Sequence, residues 1–468
     1  LCPSYTLPAR KTLSNTLLNV NYGKFLEAVE EELINCKAVC LTSDGWTNSK
    51  NESFLAATAH FIDSECKQKT YLLACEEFSN KHTSENIAVW MKQTMDNFKI
   101  TKKVVCVVTD NAANIKSAVQ LAKIEHIPCY AHTLNLIVQC AISNSIQSTV
   151  TSVKEIVKHF KKSAAASLKL RELQEHLHRV QVKLILDVPT RWNSTFHMLE
   201  RFYSNKDPIV SSLAILSYNS HLNENDWTIM NEASNVLKFF DLVTKEISAE
   251  QTVTLSKMRV ITSLMIKKLE CNSDCETNEV KKLIKLLSDG LHEKFVYIDR
   301  EIVNQATILD PRFKQKGFQS DTEFQQSCKH ILLRLDTLPT QTNEFQLQTV
   351  NETEDAISED LVTDSIWKDF YTEQNDSQVI LHTRTETQKE LDNYLAESLS
   401  HRADNPLEWW KLHKNKYPRL YDLMICTLCI PASSVPCERV FSKAGDIESC
   451  KRIRLHSSKL SKILFIKQ

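Results

Sequence analysis

Two aspartates carry the first suggestion of chemistry. Asp44 closes the apolar run "AVCLTSD" (38–44). Asp110 closes "KVVCVVTD" (103–110), after which the chain turns polar at once. Both runs read as buried strands ending in an acid. Neighbouring strands lie about 4.8 Å apart, so pairing of these two would let both carboxylates reach one metal ion. Such hard oxygen donors suit Mg²⁺ or Mn²⁺. Two ions ~4 Å apart serve phosphoryl transfer on nucleic acid by activating a water or a 3′-hydroxyl and stabilising the leaving oxygen. Either acid alone is weak evidence, because an Asp after a strand is commonly a turn former or a helix N-cap.

A second constellation, Cys129-x-x-His132 with His126 three residues earlier, offers three metal-ligand side chains. A structural zinc site wants four in tetrahedral geometry, no fourth is evident nearby, and Pro128 interrupts the backbone, so structural zinc is not expected. Core packing of the Cys with a satisfied His is the competing reading. Cys426-x-x-Cys429 lies in an apolar helical run and reads as packing, as do Cys271 and Cys275.

The elements that must position these groups follow from periodicity. Residues 53–63 and 68–77 read as two more strands, close enough for an antiparallel meander, and 84–98 as a helix capped by Thr83 or Ser84. Helical runs over 114–123 and 131–142 lead through a mostly helical span to a short strand, "VKLILD" (182–187), then a helix over 188–202. Three strands, a helix, a strand, helices and a strand predict a mixed sheet with helices on its faces, the ribonuclease H arrangement. From 203 to 390 the pattern is mainly helical, broken by an acidic stretch, "QTVNETEDAISEDLVTD", read as a solvated connector or a recognition element.

Composition narrows the function. The chain has 468 residues, enough for two or three domains, and a formal net charge of -1. Five glycines and no Gly-rich phosphate loop exclude the common nucleotide folds. Fifteen scattered cysteines fit a reducing compartment, and no apolar run is long enough to span a membrane. The near-neutral average hides a basic end: "CKRIRLHSSKLSKILFIKQ" carries six Lys or Arg and no acid. Lys451, Arg452 and Arg454 there could lie on DNA phosphates, or the segment could be the solvated flank of a terminal helix.

Six stretches in order give a more specific signal: "LTSDGWTNS" (41–49), "VVTDNAANI" (107–115), "CYAHTLNL" (129–136), "TRWNSTFHMLER" (190–201), "ILDPRFK" (308–314) and "PASSVPCERVFSKAG" (431–445). With these the chain resembles transposases of the hAT superfamily, or host proteins derived from them, of the group that often carries a BED-type zinc finger. The resemblance implies a catalytic triad of Asp44, Asp110 and Glu438 holding Mg²⁺ or Mn²⁺. Its third member arrives on a helix that returns to the sheet after a long helical insertion. The implied activity is DNA cleavage at transposon ends, leaving hairpins on the flanking DNA, followed by strand transfer. It further implies that Trp192 stabilises a displaced base, that Cys129 and His132 order the site and touch DNA, and that the C-terminal region makes at least a dimer. Arg191 beside Trp192 could meet phosphate, and Trp192 could equally be core. The aromatics Tyr394, Trp409, Trp410, Tyr417 and Tyr421 read as core or interface.

The expected organisation is a lead-in (1–20), the first part of a ribonuclease H-like domain (21–202), a helical insertion (203–386) with an acidic loop near 340–360, and a C-terminal dimerisation region (387–468) that completes the site. The expected location is the nucleus and the expected partner DNA. The finger itself is not in this sequence, which begins with Leu and so points to a missing N-terminal segment. The rival expectation is a domesticated, catalytically silent DNA-binding or transcription-regulating dimer.

Overall fold

The computed structural model describes residues 8–48, 50–271, 275–337, 386–448 and 455–467. Its centre is a five-stranded mixed sheet of β1 (Val39–Thr47), β2 (Ser53–Ile62), β3 (Gln68–Glu77), β4 (Val104–Thr109) and β5 (His126–Pro128), in the order β3-β2-β1-β4-β5. β1, β2 and β3 form the antiparallel meander, and β4 and β5 run parallel to β1. β2 is buried along nearly its whole length, because helices cover both faces of the sheet and remove the usual alternation.

One face packs on α1 (Leu18–Asn35), α2 (Ser84–Asn97) and α3 (Ala113–Leu121), with Leu41, Leu55 and Val107 against Leu33, Ile87, Met91 and Val119. Full burial of each such side chain contributes roughly 1.5–3 kcal/mol. Thr83 caps α2 by accepting the Asn86 N–H. On the other face Cys40, Cys106 and Val108 meet α4 (Tyr130–Ser145). Helices then follow in series: α5 (Gln147–Lys162), α6 (Ala164–His176), α7 (Trp192–Tyr203), α8 (Lys206–Ile215), α9 (Glu224–Ile247), α10 (Lys257–Cys271), α11 (Asn278–Lys294), α12 (Glu301–Leu309) and α13 (Asp321–Thr337). Gly290 lets α11 lie directly on α4, since a Cβ there would stand 2.8 Å from Ile137 Cγ2.

The last described segments are a helix over 386–396 (α14), α15 (Pro406–His413), α16 (Pro418–Leu428), α17 (Val435–Ile447) and α18 (Ser457–Ile466). α17 comes back to the sheet, where Cys437, Phe441 and Ala444 pack on Phe54, Ala56 and Leu72. The "ILDPRFK" stretch joins the helical series to this end of the chain. Asp310, fully buried, accepts from both Arg312 (2.8 and 2.6 Å) and Ser256 (2.6 Å). Lys314 Nζ donates to the Tyr394 and Glu397 carbonyls at 2.6 and 2.8 Å, and the Trp410 indole N–H donates to Leu309 O at 2.8 Å.

Three expectations change. "VKLILD" is not a strand: Gln174 pairs with the Val182 N–H and carbonyl, and Lys154 holds Asp187, so side chains take the place of a ladder. The fifth strand is His126–Pro128 instead, too short to show periodicity and ended by a proline. The lead-in is helical from residue 10, running through a π-helical stretch, Thr12–Leu17, into α1. The acidic stretch, with Lys451, Arg452 and Arg454, lies outside the described residues.

Candidate functional site

The parallel ladder between β1 and β4 ends at Ser43 opposite Thr109, so Asp44 and Asp110 are the next residues on two adjacent chains. Asp110 directly follows the carboxyl end of β4, whereas β1 runs on past Asp44 to Thr47 because it stays paired with β2, so the expected strand end at Asp44 is only the end of its ladder with β4. This is the side where open α/β sheets bind ligands. Each carboxylate is oriented by a nearby amide: Gly45 N–H donates to Asp44 Oδ1 at 2.8 Å, and Ala112 N–H to Asp110 Oδ1 at 3.1 Å. Asp110 is therefore a turn former. The residue preceding α3 is Ala112, which supplies no side-chain cap. Asn111 ties the same turn to α4 through Thr133 Oγ1 at 2.9 Å.

Glu438 stands in the first turn of α17, and its neighbour Cys437 anchors that turn. The Cys437 thiol is fully buried, donates to Thr42 O at 3.4 Å and lies 3.3 Å from Thr42 Oγ1, on the strand that carries Asp44. Beneath it, His60 Nε2 meets Thr58 Oγ1 at 2.9 Å and His60 Nδ1 meets Thr70 Oγ1 at 3.0 Å. Burial holds the His60 imidazole neutral, its pKa lowered to about 3. At the head of α17, Ser434 N–H donates to Cys129 Sγ at 3.3 Å, and Tyr130 N–H donates to Ala432 O at 2.9 Å. The "CYAH" stretch thus holds the segment that presents Glu438.

These contacts bring three acids into one field. Burial, then the charge of Asp110, and less strongly that of Glu438, push the Asp44 carboxyl up to about 7 against the lowering effect of the Gly45 amide. Asp44 and Asp110 fit what a divalent ion asks of two oxygen ligands. Glu438 does not complete the set in this arrangement. Among the described residues no three His, Cys, Asp or Glu side chains form a group able to hold a metal ion. Glu438 Oε2 lies instead 3.8 Å from Arg191 Nη2.

The remaining predicted site residues divide. Arg191 lies against Glu438, with its side chain 64% exposed. Trp192 is only 2% exposed and packs beside Phe196, so its ring offers no open face for a base. Cys129 is fully buried and accepts the His132 and Ser434 N–H groups, which gives it the ordering contacts and no surface for DNA. His132 is half-buried in the first turn of α4. His126 pairs with Thr109 Oγ1 at 2.9 Å. Of the C-terminal aromatics, Tyr394, Trp410, Tyr417 and Tyr421 are buried within the chain, where stacking of Tyr394 on Trp410 fills the space under "ILDPRFK".

Sequence reasoning missed Asn135 and Gln139 of α4. Asn135 Oδ1 accepts the Trp192 N–H at 3.1 Å, Asn135 Nδ2 donates to Thr190 O at 3.2 Å, and Gln139 Nε2 donates to Pro189 O at 2.9 Å. Two amides one helical turn apart are the available signal, but nothing local says which backbone they reach.

Three family models match parts of the chain. Residues 42–127 match the ZBED1 RNase-like domain, residues 127–236 the ZBED1 RNase-like helical domain, and residues 390–468 the hAT family C-terminal dimerisation region. Zinc finger BED domain-containing protein 4 of Homo sapiens is 26% identical over 494 residues, spanning 100% of this chain and 40% of that protein. Zinc finger BED domain-containing protein RICESLEEPER 1 of Oryza sativa subsp. japonica is 25% identical over 441 residues, 86% of this chain and 60% of the relative. A Zea mays protein named "Putative AC transposase" is 24% identical over 506 residues, 98% of this chain and 60% of its own. The chain thus spans between 40% and 60% of the length of these relatives.

Proposed function

Because the chain belongs to the hAT superfamily of transposases and transposase-derived proteins of the BED-finger group, we propose that it acts on DNA ends through Asp44, Asp110 and Glu438. The activity is phosphodiester cleavage at a transposon end, with hairpins left on the flanking DNA and transfer of the freed 3′-hydroxyl to a target strand. The observation that supports this reading is the placement of Asp44 and Asp110 side by side where the β1–β4 ladder stops, with Glu438 brought near on α17. Mg²⁺ or Mn²⁺ is the proposed ion, held first by Asp44 and Asp110, and it would supply the positive charge against which a hydroxyl is ionised. The chain's own contribution is to hold the acids on a rigid sheet edge and to keep Arg191 beside them for a DNA phosphate. In this reading the helical series is an insertion within a ribonuclease H-like domain, the C-terminal region makes a dimer, and the protein works in the nucleus.

Incubating the purified chain with cognate transposon-end duplexes and Mn²⁺ tests the proposal. Nicked and hairpin products are expected, and Asp110→Ala should remove them with the far-ultraviolet circular dichroism unchanged. Cutting by Asp110→Ala at wild-type rate, or none by either protein on ends proven cognate, overturns the enzymatic reading. A second reading, a silent DNA-binding dimer, is favoured by one observation: Glu438 is paired with Arg191 rather than grouped with the other two acids. Binding of DNA without any metal-dependent cleavage is its signature.

A further inference from the structure

The backbone that carries Arg191 to Glu438 is fixed by a set of side-chain hydrogen bonds. The Arg191 backbone N–H donates to Val188 O at 3.0 Å, closing a tight turn. Ser194 seals the turn from inside, its hydroxyl accepting the Val188 N–H at 2.7 Å and donating to Arg191 O at 2.7 Å. Asn135 and Gln139 of α4 clamp the same turn from outside through Trp192 N–H, Thr190 O and Pro189 O. The base of α4 also holds the lead-in to α17 through Cys129 and Tyr130. One helix therefore fixes the backbone on which both Arg191 and Glu438 are carried. The pair itself is open to solvent, at 64% and 40% side-chain exposure, so a competing anion or cation can reach either partner.

We propose that Arg191 is a substrate-sensing positioning residue: it pairs with Glu438 in the free chain, and a DNA phosphate that takes up Arg191 releases Glu438 to join Asp44 and Asp110. This rests on the reading of the three acids as the cleavage site. The exchange balances in charge, since the guanidinium trades one carboxylate for one phosphate and the freed carboxylate meets a cation. It makes metal affinity and DNA affinity mutually reinforcing, because each ligand favours the state the other needs. An exposed ion pair is a weak restraint, so the device is a bias of about two- to five-fold and not a lock.

The test uses the whole chain and two probes, Mn²⁺ alone and a short duplex of random sequence. Mn²⁺ binding is read from the electron paramagnetic resonance signal of the free ion. Arg191→Ala and Arg191→Gln should each bind Mn²⁺ about two- to five-fold more tightly than wild type without DNA, and adding Glu438→Gln should cancel the gain. In the duplex arm, Glu438→Gln should tighten binding in the wild-type background and lose that effect with Arg191→Ala. Equal Mn²⁺ binding by wild type and both Arg191 variants, abolished in each by Asp110→Asn, overturns the exchange and leaves the acidic site standing. A Glu438→Gln gain in duplex binding that survives Arg191→Ala also overturns it, reducing the effect to net charge. Absence of Mn²⁺ binding by every protein, with and without duplex, overturns both the exchange and the site. Unchanged thermal melting of the Arg191 variants, expected from the exposure of that side chain, shows that they are folded.

Discussion

Asp44 and His60 lean on stability in opposite directions across the same span of pH. The Asp44 carboxyl is raised from 3.8 to about 7, so between those values the folded chain binds more protons than the unfolded one, and stability falls as pH rises. His60 is lowered from 6.5 to about 3, so over that interval the unfolded chain binds more protons and stability rises with pH. Asp44→Asn removes the first slope. Its melting temperature should climb from pH 4 to 6.5 and exceed that of wild type at pH 8, the stability gain there being on the order of 1–2 kcal/mol after allowance for partial exposure. Differential scanning calorimetry at pH 5 and 8 checks this, and identical melting of the two proteins at pH 8 would mean that Asp44 is not under electrostatic strain. Legibility at this scale was uneven. Asp44 and Asp110 announce themselves by ending apolar runs, whereas Glu438 follows Pro436 in an ordinary first helical turn and means nothing without the company it keeps. Trp192 has the residue type of a stacking platform, but its burial depends on what α9 and the rest of the helical series place around it, which no local pattern encodes.

The elements that present these residues were read well where they are long and periodic. The four strands that frame Asp44 and Asp110, and α2 with its Thr83 cap, need only alternation, apolar runs and capping chemistry. The exchange of "VKLILD" for "HIP" shows the limit. The first has a strand's composition but finds Gln174 as its partner, and the second has a partner, β4, without a strand's composition. Pairing is a tertiary fact. Helix packing supplies the prediction at this scale. A methyl at Gly290 meets Ile137 Cγ2 at 2.8 Å, so Gly290→Ala forces either the Ile137 side chain or α11 itself to shift. That overpacking should cost about 1–3 kcal/mol in chemical denaturation, and Ile137→Ala in the same chain should return part of it. Because α4 also carries Asn135 and Gln139, the proposed DNA cleavage should drop in Gly290→Ala and recover partly in the double variant. A stability loss that Ile137→Ala deepens would argue that the two helices are not in the contact described.

Across the whole molecule, the buried Asp310–Arg312 pair is the joint between the helical series and the C-terminal segment. Both side chains are almost wholly removed from water, at 0% and 8% exposure. Arg312→Ala takes the guanidinium from the buried Asp310, leaving it the Ser256 hydroxyl and one backbone N–H, and should destabilise the chain by about 3–5 kcal/mol in urea. Replacing both by apolar residues of similar volume should cost much less. An unchanged urea midpoint for Arg312→Ala would remove the joint from the account of the fold. The motif "ILDPRFK" was legible only as a resemblance, because its partners, Ser256, Tyr394 and Trp410, come from distant segments of the chain. The same distance sets a timetable. Asp110 and Glu438 are separated by 328 positions, and the strand face that receives Cys437 stays uncovered until α17 emerges from the ribosome. At about 5–20 residues per second the nascent chain carries that apolar face, with Phe54, Ala56 and Leu72, for tens of seconds. A truncated product that stops before α17 is therefore sticky, with the apolar face of β2 and β3 left open to other chains.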